Sequence, residues 1–332
     1  MEEDFHFYCI AVLAKAAGYS AGDAKKIAYA SQYVDNSTES EPIKIGQMIF
    51  DPVRTAHNGL KAFDWGVQKK VYFPFHFIPP RPIRQPEDPF ITEPNSVFAQ
   101  MILQEARNEQ QEDFRLYRIG VALHTFADTW SHQGFSGRED EINDVEKIYH
   151  YKNDKWKRLL FQNIYLDFLP KIGHGQAGHY PDWPFLKWKY KRDATNKIVS
   201  HDNTTKFLEA AKAVYDFLIT VPKSVSIPVT RWGNLEGSIH ELLSNNEEDL
   251  GRRCGAWEVR YGNWFENVGL DYDRMEWRRE ALRSDEIAWD DDDPSDFRKR
   301  HYNLHPEFYR SSWVMFHRAA LLQRHFVLEN LL

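Results

Sequence analysis

The chain has 332 residues, 42% hydrophobic and 27% charged, with 11 Trp, 16 Tyr and 22 Phe, which is globular composition with ample material for a core. Its formal charge of -7, from 42 basic and 49 acidic residues, argues against broad binding to duplex nucleic acid. No apolar run approaches the ~18–20 residues of a membrane span, and the acidic opening Glu2-Glu3-Asp4 is unlike a secretory signal. The expectation is a chain with no integral membrane segment and a cytoplasmic location. Cys9 and Cys254 are too few for a disulfide framework or a thiolate cage, which also fits a reducing compartment.

Helical spacing runs from Phe5 to Ala17, with Gly18 as a stop. Ser20 to Asp23 resembles a capping box that opens a second helix, ending near Val34 before Asp35-Asn36-Ser37. Residues 36–94 read as a Pro-rich irregular connection, with short strands around Ile43–Phe50 and Val71–Phe77. Helices are predicted over Ser96–Asn108, Glu112–His132, Lys155–Leu169, Thr204–Thr220 (capped by Asn203) and Glu307–Leu331, with Pro306 suited to the last one's first turn. Gly173–Pro184 is a Gly/His/Pro loop, and 223–300 is less regular. The run Asp290–Asp293 lacks the alternating oxygen ligands of a calcium loop and reads as a solvated turn.

The sharpest chemical signal is Leu123-His124-Thr125-Phe126-Ala127-Asp128-Thr129-Trp130-Ser131-His132. At ~100° per residue, His124, Asp128 and His132 fall about 40° apart on one helix face, rising ~6 Å per step. His124 and Asp128 can reach one cation together, His132 suits a neighbouring one, and Asp128 can bridge. Beside an apolar face such a stripe is costly to bury unless its charge is neutralised, as a metal cluster would do. The bland alternative is a polar helix face with satisfied histidines. Other candidates are Asp4 and His6 in the first helix, Asp35 after the second, His57 in Thr55-Ala56-His57, and His174, His179 and Asp182 in the loop. Oxygen and imidazole donors without sulfur suit zinc, and also manganese or iron.

This order of ligands resembles the zinc-dependent phospholipase C and single-strand-specific nuclease superfamily, over roughly residues 4–182. The resemblance implies a mainly α, multi-helix bundle around a cluster of two or three zinc ions, with long irregular insertions. We expect one domain over 1–332: a metal-site core in 1–182 and an aromatic-rich extension or lid in 183–332. Carried over, Asp35, His57, His124 and Asp128 would bind one zinc. His132, with His179 or His174 and Asp182, would bind a second, and His6 with Asp128 a third. In that family the third zinc also takes the amine of an N-terminal Trp; this chain opens Met1-Glu2-Glu3-Asp4, so Asp4 is expected to replace that amine. The Asp128–His132 spacing is shorter than the family's, and its following His-x-x-x-Glu/Asp is found only in altered form at His174–Asp182.

The implied activity is hydrolysis of a phosphate ester (phospholipid, nucleotide or oligonucleotide) by a metal-activated hydroxide, with Asp35 and Asp128 as catalytic groups. The alternative is a non-catalytic helical module with a structural or vestigial metal site; another metal hydrolase, such as an amidase, is also open. His76, embedded in Phe73-Pro74-Phe75-His76-Phe77, reads as a packing histidine, with lining the cleft as the alternative. His201-Asp202 reads as part of a helix cap, and His240-Glu241 lacks the second His of a metalloprotease. His301, His305, His317 and His325, on or before the last helix, are not placed in the site. There is no Walker loop, dinucleotide fingerprint or Gly-x-Ser-x-Gly elbow.

Overall fold

The chain opens in a π-helical turn, Asp4–Cys9, that runs on as the α-helix Ile10–Ala16 (α1). Phe7, Cys9, Ile10, Ala11, Val12 and Leu13 are all fully buried, so this segment lies inside the molecule rather than on it. In the computed structural model, residues 1–39, 42–45, 48–56, 64–85, 87–158, 171–223, 227–282 and 305–331 are described. His57, His301, the Asp290–Asp293 run and residues 159–169 of the expected Lys155–Leu169 helix lie outside them.

Helix α2, Ala21–Asn36, starts at Ser20, whose Oγ accepts the Asp23 N–H at 3.1 Å. A two-stranded ribbon follows, β1 (Ile43–Ile45) against β2 (Met48–Phe50). The expected strand at Val71–Phe77 is instead helical, as the turns Gln68–Tyr72 and Phe73–Phe75. Helix α3, Val97–Arg107, is capped by Ser96, and α4, Glu112–Ser131, is the axis of the molecule. Helices α2 and α3, the later α5 (Asn203–Thr220) and the last helix, α9 (Ser312–Glu329), all pack on α4. That central position explains why its polar face is buried too. Thr125 Oγ1 donates to the Phe75 carbonyl at 2.9 Å, and Gln323 Nε2 donates to Thr125 Oγ1 at 2.8 Å.

The expectation of a mainly α bundle is corrected. Helices dominate, but the middle of the chain forms a four-stranded antiparallel sheet, which makes the fold mixed α and β. Its order is β4 (Lys155–Arg158), β3 (Val145–Lys152), β5 (Lys187–Arg192), β6 (Lys197–Asp202). Residues 155–158 are therefore strand and not the start of a helix. The physical reason is period-two patterning: in Lys-Trp-Lys-Tyr-Lys-Arg, Trp188, Tyr190 and Arg192 are buried while Lys187 is exposed. In β3 a register shift between Glu146 and Tyr149, with Lys147 at φ 50°, breaks the alternation that would betray a strand. Asn153 and Asp154, both at positive φ, form the two-residue turn to β4.

The sheet's inner face joins Phe77, Phe135, Ala177, Tyr180 and Leu186 in a core of its own, beside the main helical core. Asn203 does not cap α5; the cap is Asp202, and Asn203 is buried, accepting from Trp188 Nε1 at 3.1 Å. The less regular tract contains α6 (Glu236–Leu243), α7 (Leu250–Tyr261) and α8 (Glu276–Leu282). The last helix begins at Ser312, capped by Ser311 rather than near Pro306.

Gly120 marks the crossing of α4 with α2: an added Cβ would meet the Ile27 carbonyl oxygen at 2.4 Å and Ala30 Cβ at 2.5 Å. Gly120→Ala should cost about 1–3 kcal/mol through this overpacking, read as a lowered melting temperature. His317 is buried among Phe50, Trp313 and Phe316 and accepts the Val53 N–H at 3.0 Å. Burial first, then the Arg278 charge, lowers its pKa from 6.5 to about 3. The unfolded chain therefore binds the extra proton, and this group's contribution is lost as pH falls from about 6.5 toward 3. His317→Gln should reduce the acid-side fall in melting temperature over that window, by about one proton in the pH slope.

Candidate metal centre

The stripe on α4 is aimed at the opening helical turn, the end of α2 and the segment 72–77. His6 comes from the opening turn, Asp35 from the last turn of α2, and His76 from just after the Phe73–Phe75 turn. His174 and Asp182 come from the loop that leads into β5. Three groups of ligand-type side chains result: His6, His124 and Asp128; Asp35, His76 and His124; and His132, His174 and Asp182. Within each, the potential donor atoms lie within 4.8 Å of one another. His124 belongs to two groups, so the first two are contiguous.

Asp128 is the hub. Its Oδ1 lies 3.1 Å from His6 Nε2; its Oδ2 lies 3.3 Å from both His76 Nδ1 and His124 Nε2, and 3.6 Å from His132 Nδ1. The Met1 amine also donates to Asp128 Oδ1 at 2.8 Å and lies 3.1 Å from Asp182 Oδ1. Asp35 Oδ1 is 3.4 Å from His124 Nε2 and 3.8 Å from His76 Nδ1. Met1, Asp35, His76, Asp128, His132, His174 and Asp182 border a cavity of about 210 Å³, closed by Tyr72 and Phe77. A larger cleft of about 590 Å³, between Tyr19, Lys26, Arg115 and Lys223, shares none of these residues, so size alone does not locate the chemistry.

The tautomers matter more than the distances. His76 Nε2 donates to the Thr55 carbonyl at 2.8 Å, His132 Nδ1 to the His76 carbonyl at 2.8 Å, and His174 Nδ1 to the Gly178 carbonyl at 3.0 Å. A neutral imidazole has one N–H, so the lone pairs sit on His76 Nδ1, His132 Nε2 and His174 Nε2. Those are the atoms facing the cluster. His132 Nε2 and His174 Nε2 are 3.2 Å apart, as are His76 Nδ1 and His124 Nε2. Backbone carbonyls that fix the far nitrogen are the usual support of metal-bound histidines. His6 and His124 have no such partner among the described residues, and their Nδ1 atoms are buried without a hydrogen bond.

Charge points the same way. Burial first, then the neighbouring His124, lowers the His6 pKa to about 3; burial likewise brings His124 and His174 to about 4. Burial would raise Asp128, but His132, the Met1 amine and the other imidazoles hold it well below the carboxylate range. Asp182 is held low in the same way against burial, chiefly by His174 and the amine. Neutral His6, His124 and His174 beside ionised Asp128 and Asp182 are the protonation states that a divalent cation requires of its ligands; Asp35 is raised, chiefly by burial, and His76 is raised, against burial, by Asp128 and Asp35. The residues present therefore fit a metal cluster.

A family model matches residues 1–331, that of a family of unknown function, DUF6765. The chain belongs to this family. No curated protein and no solved structure matches it.

In this DUF6765 chain, Asp35, His124, Asp128, His132, His174, Asp182 and His6 converge as ligand-type groups. Asp4 does not replace the amine: its Oδ2 accepts from Arg253 Nε at 2.7 Å, on the far side of the opening turn, while the Met1 amine itself reaches Asp128. His179 is 77% exposed and 3.7 Å from Glu2 Oε1, so His174 is the loop's contribution. His76, which sequence reasoning read as a packing histidine, stands beside Asp35 and His124; His57 lies outside the described residues. The signal that would have found His76 is hydrogen-bonding need: an imidazole between Phe75 and Phe77 must find polar partners once buried. His201 stacks on Trp188 and Tyr190, away from the cluster.

Adding zinc to metal-free protein should raise the melting temperature, by an amount equivalent to about 2.7 kcal/mol at a free concentration 100 times the dissociation constant. Asp128→Asn and His124→Gln should each lower the bound metal found by elemental analysis. Equal metal content in both variants and wild type would refute the assignment of these groups.

Proposed function

We propose that this chain is a zinc-dependent phosphoesterase that hydrolyses a phosphodiester. The observation that carries the reading is the set of imidazole lone pairs, on His76, His132 and His174, turned by backbone carbonyls toward one carboxylate-lined cavity. Zinc suits five imidazoles and three carboxylates without sulfur; manganese and iron are the other candidates. Bound cations would supply Lewis acidity, lowering the pKa of water toward ~7 and offsetting the charge on phosphoryl oxygens.

The chain's own residues do the rest. Asp128 holds the imidazoles of His6, His76 and His124 in one orientation. Asp35, with 31% of its side chain exposed, is the carboxylate best placed to accept a proton from water entering the cavity. The Phe77 ring stacks on His132 at 4.4 Å and limits its motion. A volume of about 210 Å³ admits a phosphate group but not a whole lipid or nucleotide, so the remainder of the substrate lies outside on the surface. Among the described residues no helix is long and apolar enough to cross a membrane. The buried free thiols of Cys9 and Cys254 accord with the cytoplasmic location proposed from sequence.

Zinc-loaded protein should hydrolyse bis(4-nitrophenyl) phosphate, and Asp128→Asn should lower kcat about a hundredfold or more. His174→Gln, at the more open edge of the cluster, is the companion variant should Asp128→Asn fail to fold. Turnover unchanged in a folded, metal-depleted variant would exclude the mechanism. Parallel assays on micellar phospholipid and single-stranded DNA separate the two leading substrate classes.

A further inference from the structure

The four strands of the sheet carry ten Lys/Arg and two Asp/Glu, in a chain whose net charge is -7. Cross-strand partners share a face, and Tyr149 pairs with Arg158 and Lys189, Tyr151 with Trp156, and Lys187 with Asp202. One face thus interleaves rings and cations. It is the outer one, because Trp188 and Tyr190 point into the core. Tyr151 and Trp156 are 41% and 42% exposed, 5.4 Å apart. Lys189 Nζ lies 4.1 Å from the Trp156 ring centre and 5.5 Å from that of Tyr149. Lys187 and Lys191 are partly neutralised by Asp202 and Glu146. On this face Arg158 and Lys189 have no acidic partner among the described residues, while Lys155 and Lys157, paired with Lys152 and His150, lie on the other face.

We propose that this face binds single-stranded nucleic acid, its phosphates on Lys187, Lys189, Lys191 and Arg158, its bases stacked on Trp156 and Tyr151. Lysine on an edge strand is also the ordinary guard against edge-to-edge pairing, but that role needs no exposed indole and phenol on the adjoining face. Charge complementarity selects a polyanion. An anionic membrane is the weaker fit: the exposed rings are those with polar tips, and Ile198 is the one purely aliphatic side chain exposed on the four strands of this sheet. Open rings flanked by cations are what sequence-tolerant binding of single strands uses, since every base has a stackable face. A stacked duplex offers no free bases to them. The proposal stands apart from the phosphoesterase reading and holds for a chain with no catalytic activity.

The experiment is fluorescence anisotropy of fluorescein-labelled dT15 with the full chain in EDTA, which removes hydrolysis from the measurement. Binding is expected, with log affinity falling against log salt at about 0.7 per phosphate contacted. Trp156→Ala should weaken it about tenfold, in the range of one lost base stack, and Arg158→Glu with Lys189→Glu should weaken it and flatten the salt slope. Trp156 and Arg158 are on the exposed strand β4 and Lys189 is half-buried on β5; circular dichroism checks the fold. The proposal is overturned if dT15 is not bound, if the variants bind as wild type, if a duplex of equal length binds as tightly, or if the chain sediments with phosphatidylglycerol vesicles and not with oligonucleotide.

Discussion

Everything in the candidate centre depends on how one buried carboxylate is compensated. Asp128 is 1% exposed, in the last turns of a helix packed on several sides. An isolated carboxylate there would be prohibitively unfavourable. The surroundings answer with the Met1 ammonium at 2.8 Å and with imidazoles, of which burial holds His6 and His124 neutral, so that these two supply dipoles and lone pairs rather than charge. The proposed divalent cation would complete that electrostatic balance, and the groups that could hold it are the ones these hydrogen bonds orient.

The rest of the fold serves this constraint. Helix α4 is central because it must face four different segments at once, and Gly120 lets α2 come close enough to deliver Asp35. The Pro-rich segment, which reads as mere connection, holds His76 through the Thr55 carbonyl and is itself gripped by Gln323 of the last helix, whose Nε2 donates to the Pro74 carbonyl at 2.8 Å. Arg253, fully buried on α7, pairs with Asp4 and Glu2 and so holds the opening turn where His6 meets Asp128. The extension after residue 182 thereby supports the centre, and none of its described residues belongs to the ligand-type groups.

The sheet adds a second lesson in electrostatics. A net charge of -7 argues against polyanion binding only if charge is evenly spread, and here the strands hold a large surplus of basic side chains. Net charge describes the far field; a binding face is felt within a Debye length of about 8–10 Å.

Local rules made much of this chain legible. The 3.6-residue period located α1, α2, α3 and α4, the four-residue recurrence of His124, Asp128 and His132 marked the metal face, and Ser20 and Ser96 announced their helix starts. The strands were harder, because a bulge interrupts β3 and the Lys-rich β4 has no buried face to pattern it. By itself the sequence determined which residue types were available and which ones a single helix holds in line. Only the tertiary structure decided that His76 stands beside Asp35, that His174 and not His179 turns inward, and that Asp4 turns away to Arg253. Those choices depend on which distant backbone carbonyl or charge arrives beside each side chain, and contacts between residues far apart in sequence leave no periodic trace along it.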